Sequence, residues 1–213
     1  MNLPKDRGHV VSGTGVSRYE KVIAADGGDG KWHFIDRQNL KSSCGPTCAR
    51  MVIKLITGLS IGQDYFGGLV ALSEKDISPS DSSPMSEEAQ GFHDFDAKGA
   101  RSGHILKALQ DNKITNARKI PKTSNWKEEW RKCSEKAPAI LLIDWRRRGS
   151  HFVVMAGPLS TNPDRFLVLD PAYGVQHIEA AQPDVYKPRH AGAVNGKIFA
   201  TGSLSKTSTI VTY

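Results

Sequence analysis

Two cysteine side chains, Cys44 and Cys48, open an apolar segment with the sequence SSCGPTCARMVIKLITG. A redox pair usually has two intervening residues, whereas three separate these cysteines, and a zinc site would need two further ligands at a recognisable spacing. The candidate ligands His93 and His104 stand isolated in the sequence. The spacing therefore favours a third chemistry, in which one cysteine is a nucleophile.

The local sequence distinguishes the two cysteines. Apolar residues recur at helical spacing from Pro46 to Thr57, and Gly58 supplies a stop. Proline is tolerated in the first turn of a helix, so Cys44 should lie at the helix N-terminus, where the helix dipole favours a thiolate. Cys48 falls on the apolar stripe one turn later, where burial favours an inert thiol. Considered alone, Cys44 could also be a purely structural thiol.

Cysteine catalysis also requires a base and a group that orients this base. His151 opens the strand-like segment HFVV, and Asp170 ends the next such segment in VLDPAYG. If the two segments form an antiparallel hairpin in which Met155 opposes Phe166, then His151 opposes Asp170, and their Cβ atoms lie roughly 4.5–5.5 Å apart. Taken singly, the histidine could be satisfied by backbone groups and the aspartate could start an Asp-Pro turn.

The developing oxyanion needs hydrogen-bond donors, and Gln38 is the candidate. It lies six residues before Cys44, close enough along the chain for its amide NH₂ to point at the same spot as the Cys44 backbone N–H. These two donors would form an oxyanion hole. Every part that cysteine catalysis requires therefore has a candidate residue in this chain.

Helical periodicity marks three segments before residue 138. In the first, Arg50 and Lys54 form a polar face opposite the apolar stripe, and the second covers residues 102–110. The third begins at residue 124 and repeats its apolar residues at helical spacing: Trp126, Trp130, Cys133 and Ala137. This pattern makes Cys133 a core thiol. Between residues 61 and 100 the periodicity fades, and the length of this Ser- and Pro-rich stretch predicts a functional lid or rim.

Extended, β-branched runs follow residue 138. They are AILLIDW (139–145), HFVVMAG (151–157), RFLVLD (165–170) and GVQHIE (174–179), and the C-terminal segment adds one or two more. Their short connections predict antiparallel order. Helices followed by strands predict an α+β domain over residues 38–213. Residues 1–37, rich in Gly and charge, form an N-terminal arm with two short strand-like segments, KVIAA and WHFI.

The motifs Q-x5-CG, HFVV and LDPAYG together resemble the papain-like cysteine peptidases. Within them they resemble the branch of bacteriocin-processing double-glycine peptidases and papain-like bacterial effector and toxin domains. The resemblance implies a papain-like fold, in which the helix bearing Cys44 packs on an antiparallel sheet carrying His151 and Asp170. It implies Cys44 as nucleophile, His151 as general base, Asp170 as its orienter and Gln38 as oxyanion donor. No metal or other cofactor is implied.

The chain departs from plant papains at two points. Those enzymes carry the nucleophile at the second cysteine of a C-G-x-C motif and usually have Asn as the third member, whereas the Gln38 spacing here selects Cys44 rather than Cys48.

The resemblance implies hydrolysis of a peptide bond in a protein substrate through a thioester. Three alternatives stay open: peptidoglycan cleavage by an amidase or endopeptidase of the same fold, deamidation or acyl transfer through the same intermediate, and an inert binding domain.

Composition limits the partners of this chain. Among its 213 residues the net charge is +7, but the charges are scattered, and this does not favour nucleic acid as the main partner. No stretch approaches the roughly 18 apolar residues of a membrane span, and the first residues contain no apolar signal region. Three cysteines fit folding with reduced thiols in the cytoplasm. The resemblance to effector and toxin domains, together with a Gly-rich N-terminal arm similar to a region that follows a delivery module, implies an effector or toxin protease delivered by a secretion system into a target cell. An immunity protein would then be expected to cover its cleft.

Overall fold

The computed structural model of this protein describes residues 9–12, 21–26, 30–38, 43–59, 61, 100–121, 123–145, 149–189 and 200–213. The predicted lid or rim falls almost entirely on residues 62–99, which lie outside these ranges. His93 and the basic run at residues 146–148 also lie outside them.

Helices and strands of the described residues follow the predicted order closely. The helices are α1 (Cys44–Thr57), α2 (Ser102–Asp111) and α3 (Trp126–Lys132). The strands are β1 (His9–Ser12), β2 (Lys21–Asp26), β3 (Trp32–Arg37), β4 (Arg118–Ile120), β5 (Ala139–Trp145), β6 (Gly149–Pro158), β7 (Arg165–Asp170), β8 (Gly174–Glu179), β9 (Val185–Tyr186) and β10 (Gly202–Val211). None of the described helices is long and apolar enough to cross a membrane.

The strands form two antiparallel sheets. One contains β1, β2 and β3 in that order, and the other has the order β4-β10-β5-β6-β7-β8, with β9 pairing to β10. The predicted strands at residues 139–145, 165–170 and 174–179 coincide with β5, β7 and β8. The predicted α+β class is therefore confirmed. The N-terminal arm contains a third strand, β1, besides the two predicted, and the domain division at residue 38 stays a prediction.

Both faces of the larger sheet are covered by helices, which explains why its strands β5, β6 and β7 contain nearly continuous apolar runs. Helices α1 and α2 cover one face, where the sheet contributes Ile140, Phe152, Val154 and Leu169 to the core. Helix α3 covers the other face, where the sheet contributes Leu141, Val153, Met155 and Val168. The helix that begins at Cys44 therefore packs directly against the central strand β6.

Helix α1 begins and ends where its sequence predicts. Gly58 takes the left-handed conformation, with φ of 75°, and its N–H bonds to the Lys54 carbonyl. Arg50, predicted on the polar face of α1, is buried there, since its side chain is 2% exposed and pairs with Asp36 of β3. The first half of α1 is buried around its whole circumference, since β3 covers the side that the periodicity leaves to solvent.

Helix α3 is shorter than its apolar repeat predicts. It ends at Lys132, Cys133 is extended, and Ala137 lies in a turn closed by a bridge to Ser134. Pro138 disfavours the helical conformation at Ala137, the residue before it, so the last member of the repeat is not helical. Cys133 is nevertheless a core thiol, and burial raises its pKa to about 12.

The register between β6 and β7 differs from the predicted one. Val154 pairs with Leu169, so Asp170 falls opposite Val153 and not opposite His151. A bulge near Gly157 shifts the pairing, and this glycine has φ of 100° with no room for a Cβ, which would lie 2.3 Å from the Cys133 carbonyl oxygen. The observed register differs from the predicted one by two residues. Because side chains alternate between the two faces of a sheet, a shift of two residues keeps each side chain on its predicted face. His151 and Asp170 are therefore diagonal neighbours on one face, within reach of each other's side chains.

Candidate active site

Cys44 is the first residue of α1 and is 8% exposed. The following residue, Gly45, lies so close to α2 and β6 that a Cβ there would come within 2.9 Å of Ala100 and Ile105 and 3.2 Å of Phe152. A side chain at this position would push the start of the helix away from β6. The glycine of the CG motif therefore allows the Cys44 sulfur to approach the strand that carries His151.

His151 lies between the other two members of the predicted triad. Its Nε2 is 3.0 Å from Oδ1 of Asp170, which is fully buried. The Cys44 side chain also interacts with this imidazole, and after Asp170 it contributes to the raised pKa of His151. Because Nε2 is occupied by the carboxylate, Nδ1 is the ring nitrogen left for the sulfur. The structure thus brings Cys44, His151 and Asp170 together in the order that nucleophilic catalysis requires.

The Asp170 carboxylate is held by donors on both oxygens. Oδ1 accepts the backbone N–H groups of Ala172 at 2.7 Å and Tyr173 at 3.0 Å, besides the imidazole. Oδ2 accepts the hydroxyl of Tyr186 at 2.5 Å. The aspartate therefore starts a turn and orients the histidine at the same time, and the two interpretations of Asp170 are compatible.

Tyr186 was not predicted as a residue of the site, because nothing in the segment QPDVYKP indicates such a role. It lies in the short strand β9 and is fully buried. Burial, followed by the charge of Asp170, raises the pKa of its hydroxyl well above the usual value, so the hydroxyl remains a donor. Its contribution is to fix the second carboxylate oxygen of Asp170.

Charges around His151 decide its protonation state. Burial lowers the pKa of His151, but the charge and hydrogen bond of Asp170, followed by the hydrogen bond and charge of Cys44, outweigh burial and raise the pKa to about 10. At neutral pH the ring is therefore an imidazolium, which stabilises a thiolate beside it. Cys48 instead remains a neutral thiol, because burial, followed by the charges of Cys44 and Asp170, raises its pKa well above the usual value.

Two half-buried aromatic side chains border the imidazole. The Trp145 ring stacks on His151 with centroids 6.1 Å apart, and the Tyr173 ring lies edge-on at 6.2 Å. Trp145 ends β5, whose residue Ile143 pairs directly with His151. These rings exclude water from parts of the imidazole surface and so strengthen its interaction with the carboxylate.

Gln38 directly follows β3, and its backbone N–H donates to the Pro171 carbonyl at 3.0 Å. This bond ties the end of β3 to the turn that begins with Asp170. The side chain is half-buried. The structure therefore places Gln38 beside the turn of the site, and its role as an oxyanion donor stays a prediction.

Metal and redox sites were the alternatives for the paired cysteines. Across the described residues, no group of three His, Cys, Asp or Glu side chains is arranged to hold a metal ion. Cys44, Cys48 and Cys133 are free thiols. His104 lies on α2 beside Ile105, which packs against Gly45 near the start of α1.

Alkylation should distinguish the three thiols. At about pH 6, below the ordinary thiol pKa of about 8.5, iodoacetamide is expected to label Cys44 far faster than Cys48 or Cys133, because only Cys44 lies beside an imidazolium. Mass spectrometry of the alkylated peptides measures the three rates in one sample. Uniformly slow labelling of all three cysteines would show that the site does not activate a thiol.

Asp170→Asn should retain measurable activity and shift its pH dependence. The amide oxygen can still accept the imidazole N–H, and the Tyr186 hydroxyl can accept from the new NH₂. The imidazolium is present below its pKa of about 10 and is lost above it. Removing the carboxylate charge lowers that pKa, so the alkaline limb of kcat/KM should move to lower pH. Asp111→Asn, which removes an exposed carboxylate, is the control and should leave the limb in place.

No protein-family model matches the chain, and no curated protein matches it. Among solved structures, similarity is found to one described as the crystal structure of a double glycine motif protease from an AMS/PCAT transporter in complex with the leader peptide. The similarity covers 70% of this chain and 80% of that chain, at 19% identity and a TM-score of 0.38. A likeness this distant assigns neither a fold nor an activity to this chain.

Proposed function

We propose that this protein is a papain-like cysteine peptidase that hydrolyses a peptide bond in a protein substrate through a thioester. The observation that carries the proposal is the bond between His151 Nε2 and the buried Asp170 carboxylate, beside the Cys44 side chain at a helix N-terminus. A buried imidazolium held by a carboxylate on one side and by a thiol on the other is the arrangement that generates a nucleophilic thiolate.

The reaction follows from these positions. The Cys44 thiolate attacks the substrate carbonyl, and the oxyanion lies at the Cys44 backbone N–H, which has no acceptor within the helix, and at the Gln38 amide. His151 then protonates the leaving amine, which leaves a thioester on Cys44. The neutral imidazole next takes a proton from water as this attacks the thioester, and the acid product and free thiolate are released.

Gln38→Ala tests the oxyanion donor. We expect turnover to fall on the order of 10²–10³-fold, the usual loss for one such donor, because the developing negative charge loses one of its two hydrogen bonds. Alkylation of Cys44 should stay at the wild-type rate, since thiolate formation depends on His151. Turnover equal to that of the wild type would remove Gln38 from the mechanism.

Substrate hydrolysis can be tested without knowing the substrate. Cell lysate is treated with wild-type protein or with Cys44→Ala, and new protein N-termini are identified by proteomics. New N-termini that appear only with the wild type support a peptidase. Deamidated or acylated side chains without new N-termini would indicate a different reaction at the same thioester, and cleavage of purified peptidoglycan alone would indicate a cell-wall hydrolase.

The biological setting belongs to the same proposal and rests on the sequence resemblance alone. We place the protein among effector or toxin proteases, made in the cytoplasm and delivered into a target cell, with an immunity protein as inhibitor. Expression of the chain inside a susceptible cell tests this role. Growth arrest with the wild type but not with Cys44→Ala is expected.

A further inference from the structure

We propose that the buried ion pair between Asp36 and Arg50 is a positioning device that fixes Gln38 against Cys44. The inference rests on the proposed function, because it assigns the pair to the geometry of the oxyanion site. Neither residue touches the reacting atoms, so the pair acts through the elements that it joins.

Two bonds hold this pair in one geometry. Arg50 Nε lies 3.0 Å from Asp36 Oδ2, and Arg50 Nη2 lies 2.9 Å from Asp36 Oδ1. Both side chains are 2% exposed. A bidentate contact between a planar guanidinium and a carboxylate fixes an angle as well as a distance, which a single bond from a lysine does not.

The pair joins the two elements whose separation defines the proposed oxyanion site. Asp36 lies in β3 two residues before Gln38, and Arg50 lies in α1 six residues after Cys44. A shift of β3 along α1 would move Gln38 relative to the helix start. Because misplacement by about 1 Å can lower a rate by about 10²-fold, this separation needs a rigid link.

Besides this link to α1, Gln38 is also held by the turn that begins with Asp170. Its N–H bonds to Pro171, the residue after Asp170. Asp170 holds His151, and His151 contacts Cys44. The ion pair therefore closes a ring of contacts that runs from the nucleophile through the base and its orienter to the oxyanion donor and back to the nucleophile helix.

Stability alone does not explain a charged pair at this position. Replacing a buried ion pair by apolar side chains of similar volume is often neutral or stabilising, whereas removal of one partner leaves a buried charge and is destabilising. The bidentate pair offers fixed geometry, which an apolar contact between α1 and β3 lacks. This difference makes stability and positioning separable by experiment.

The test is the double variant Asp36→Leu with Arg50→Met, measured on a substrate that the wild type cleaves in a Cys44-dependent way. We expect a thermal midpoint close to that of the wild type, kcat lower by about 10²-fold, KM unchanged and a wild-type rate of Cys44 alkylation. In a Gln38→Ala background the same two replacements should cause no further loss, because the donor that they misplace is already absent.

A matched control uses the exposed pair between Arg165 and Glu179, at the far end of β7 from Asp170. Arg165→Met with Glu179→Leu should leave kcat unchanged. If the first double variant does not fold, Arg50→Lys serves in its place. It keeps the charge but loses the bidentate contact with Asp36, and it should also lower kcat. Wild-type kcat in a folded pair variant would overturn the inference and leave the proposed function intact. Absence of Cys44-dependent turnover in the wild type would overturn both.

Discussion

Cys44→Ala is expected to abolish turnover, with a loss of about 10⁶-fold, the size seen when the nucleophile of a catalytic triad is removed. The sulfur is the atom that forms the thioester, so no neighbouring group can replace it. Only one buried atom is lost, and circular dichroism and thermal unfolding should therefore report an intact fold. The measurement is single-turnover kinetics on a fluorogenic or identified protein substrate.

Cys48→Ala is the matched control for this variant. Cys48 lies one turn further along α1, is fully buried in the core beneath the helix, and has a raised pKa that keeps its thiol neutral. Its replacement should lower stability modestly and leave turnover within the range of the wild type. Equal loss in both variants, or turnover retained in Cys44→Ala, would remove the assignment of Cys44 as nucleophile.

His151→Ala is expected to lower turnover almost as much, because triad members act as a unit. The variant loses the imidazolium that stabilises the thiolate and the acid that protonates the leaving amine. It also leaves the buried Asp170 carboxylate without one of its donors, so some loss of stability is expected. Single-turnover kinetics measured alongside thermal unfolding separates the catalytic loss from the structural one.

Other histidines provide the comparison for His151. His104 lies on α2 and His177 on β8, where it pairs with Leu167 in the middle of β7. Alanine at either position should leave turnover unchanged. If His151→Ala kept a near-normal rate while His104→Ala or His177→Ala was inactive, the base would have to be reassigned.

Strand positions were predictable from the sequence because the larger sheet is buried on both faces. Strands β5 and β7 are nearly continuous apolar runs bounded by turn residues, and this pattern sets their ends without any tertiary information. The three residues that meet in the site were also predictable. A cysteine at a helix start, a histidine near the start of a strand and an aspartate ending the next strand are local features, although β6 begins at Gly149 and not at His151 as predicted.

Features that depend on contacts between distant segments were not predictable. The register of β6 against β7 shifts at a bulge where Gly157 lies too close to the Cys133 carbonyl for a Cβ, and the sequence of the hairpin does not contain that contact. The burial of Arg50 depends on β3 packing over a helix face that looks solvent-exposed in isolation. Tyr186 reaches Asp170 from the two-residue strand β9, which pairs with β10, and the sequence around Tyr186 shows neither contact.

Strand β10 occupies the interior of the larger sheet, between β4 and β5, although it is synthesised after every other described element. Ile140 pairs with Ile210, and Ile210 belongs to the same core cluster as Cys44. While residues 202–211 are still inside the ribosome, β5 has an unpaired edge and the core beneath α1 is incomplete. A nascent chain therefore carries its thiol, imidazole and carboxylate before it can hold them in place. The cell that makes this protein meets an assembled site only after translation has passed this last strand.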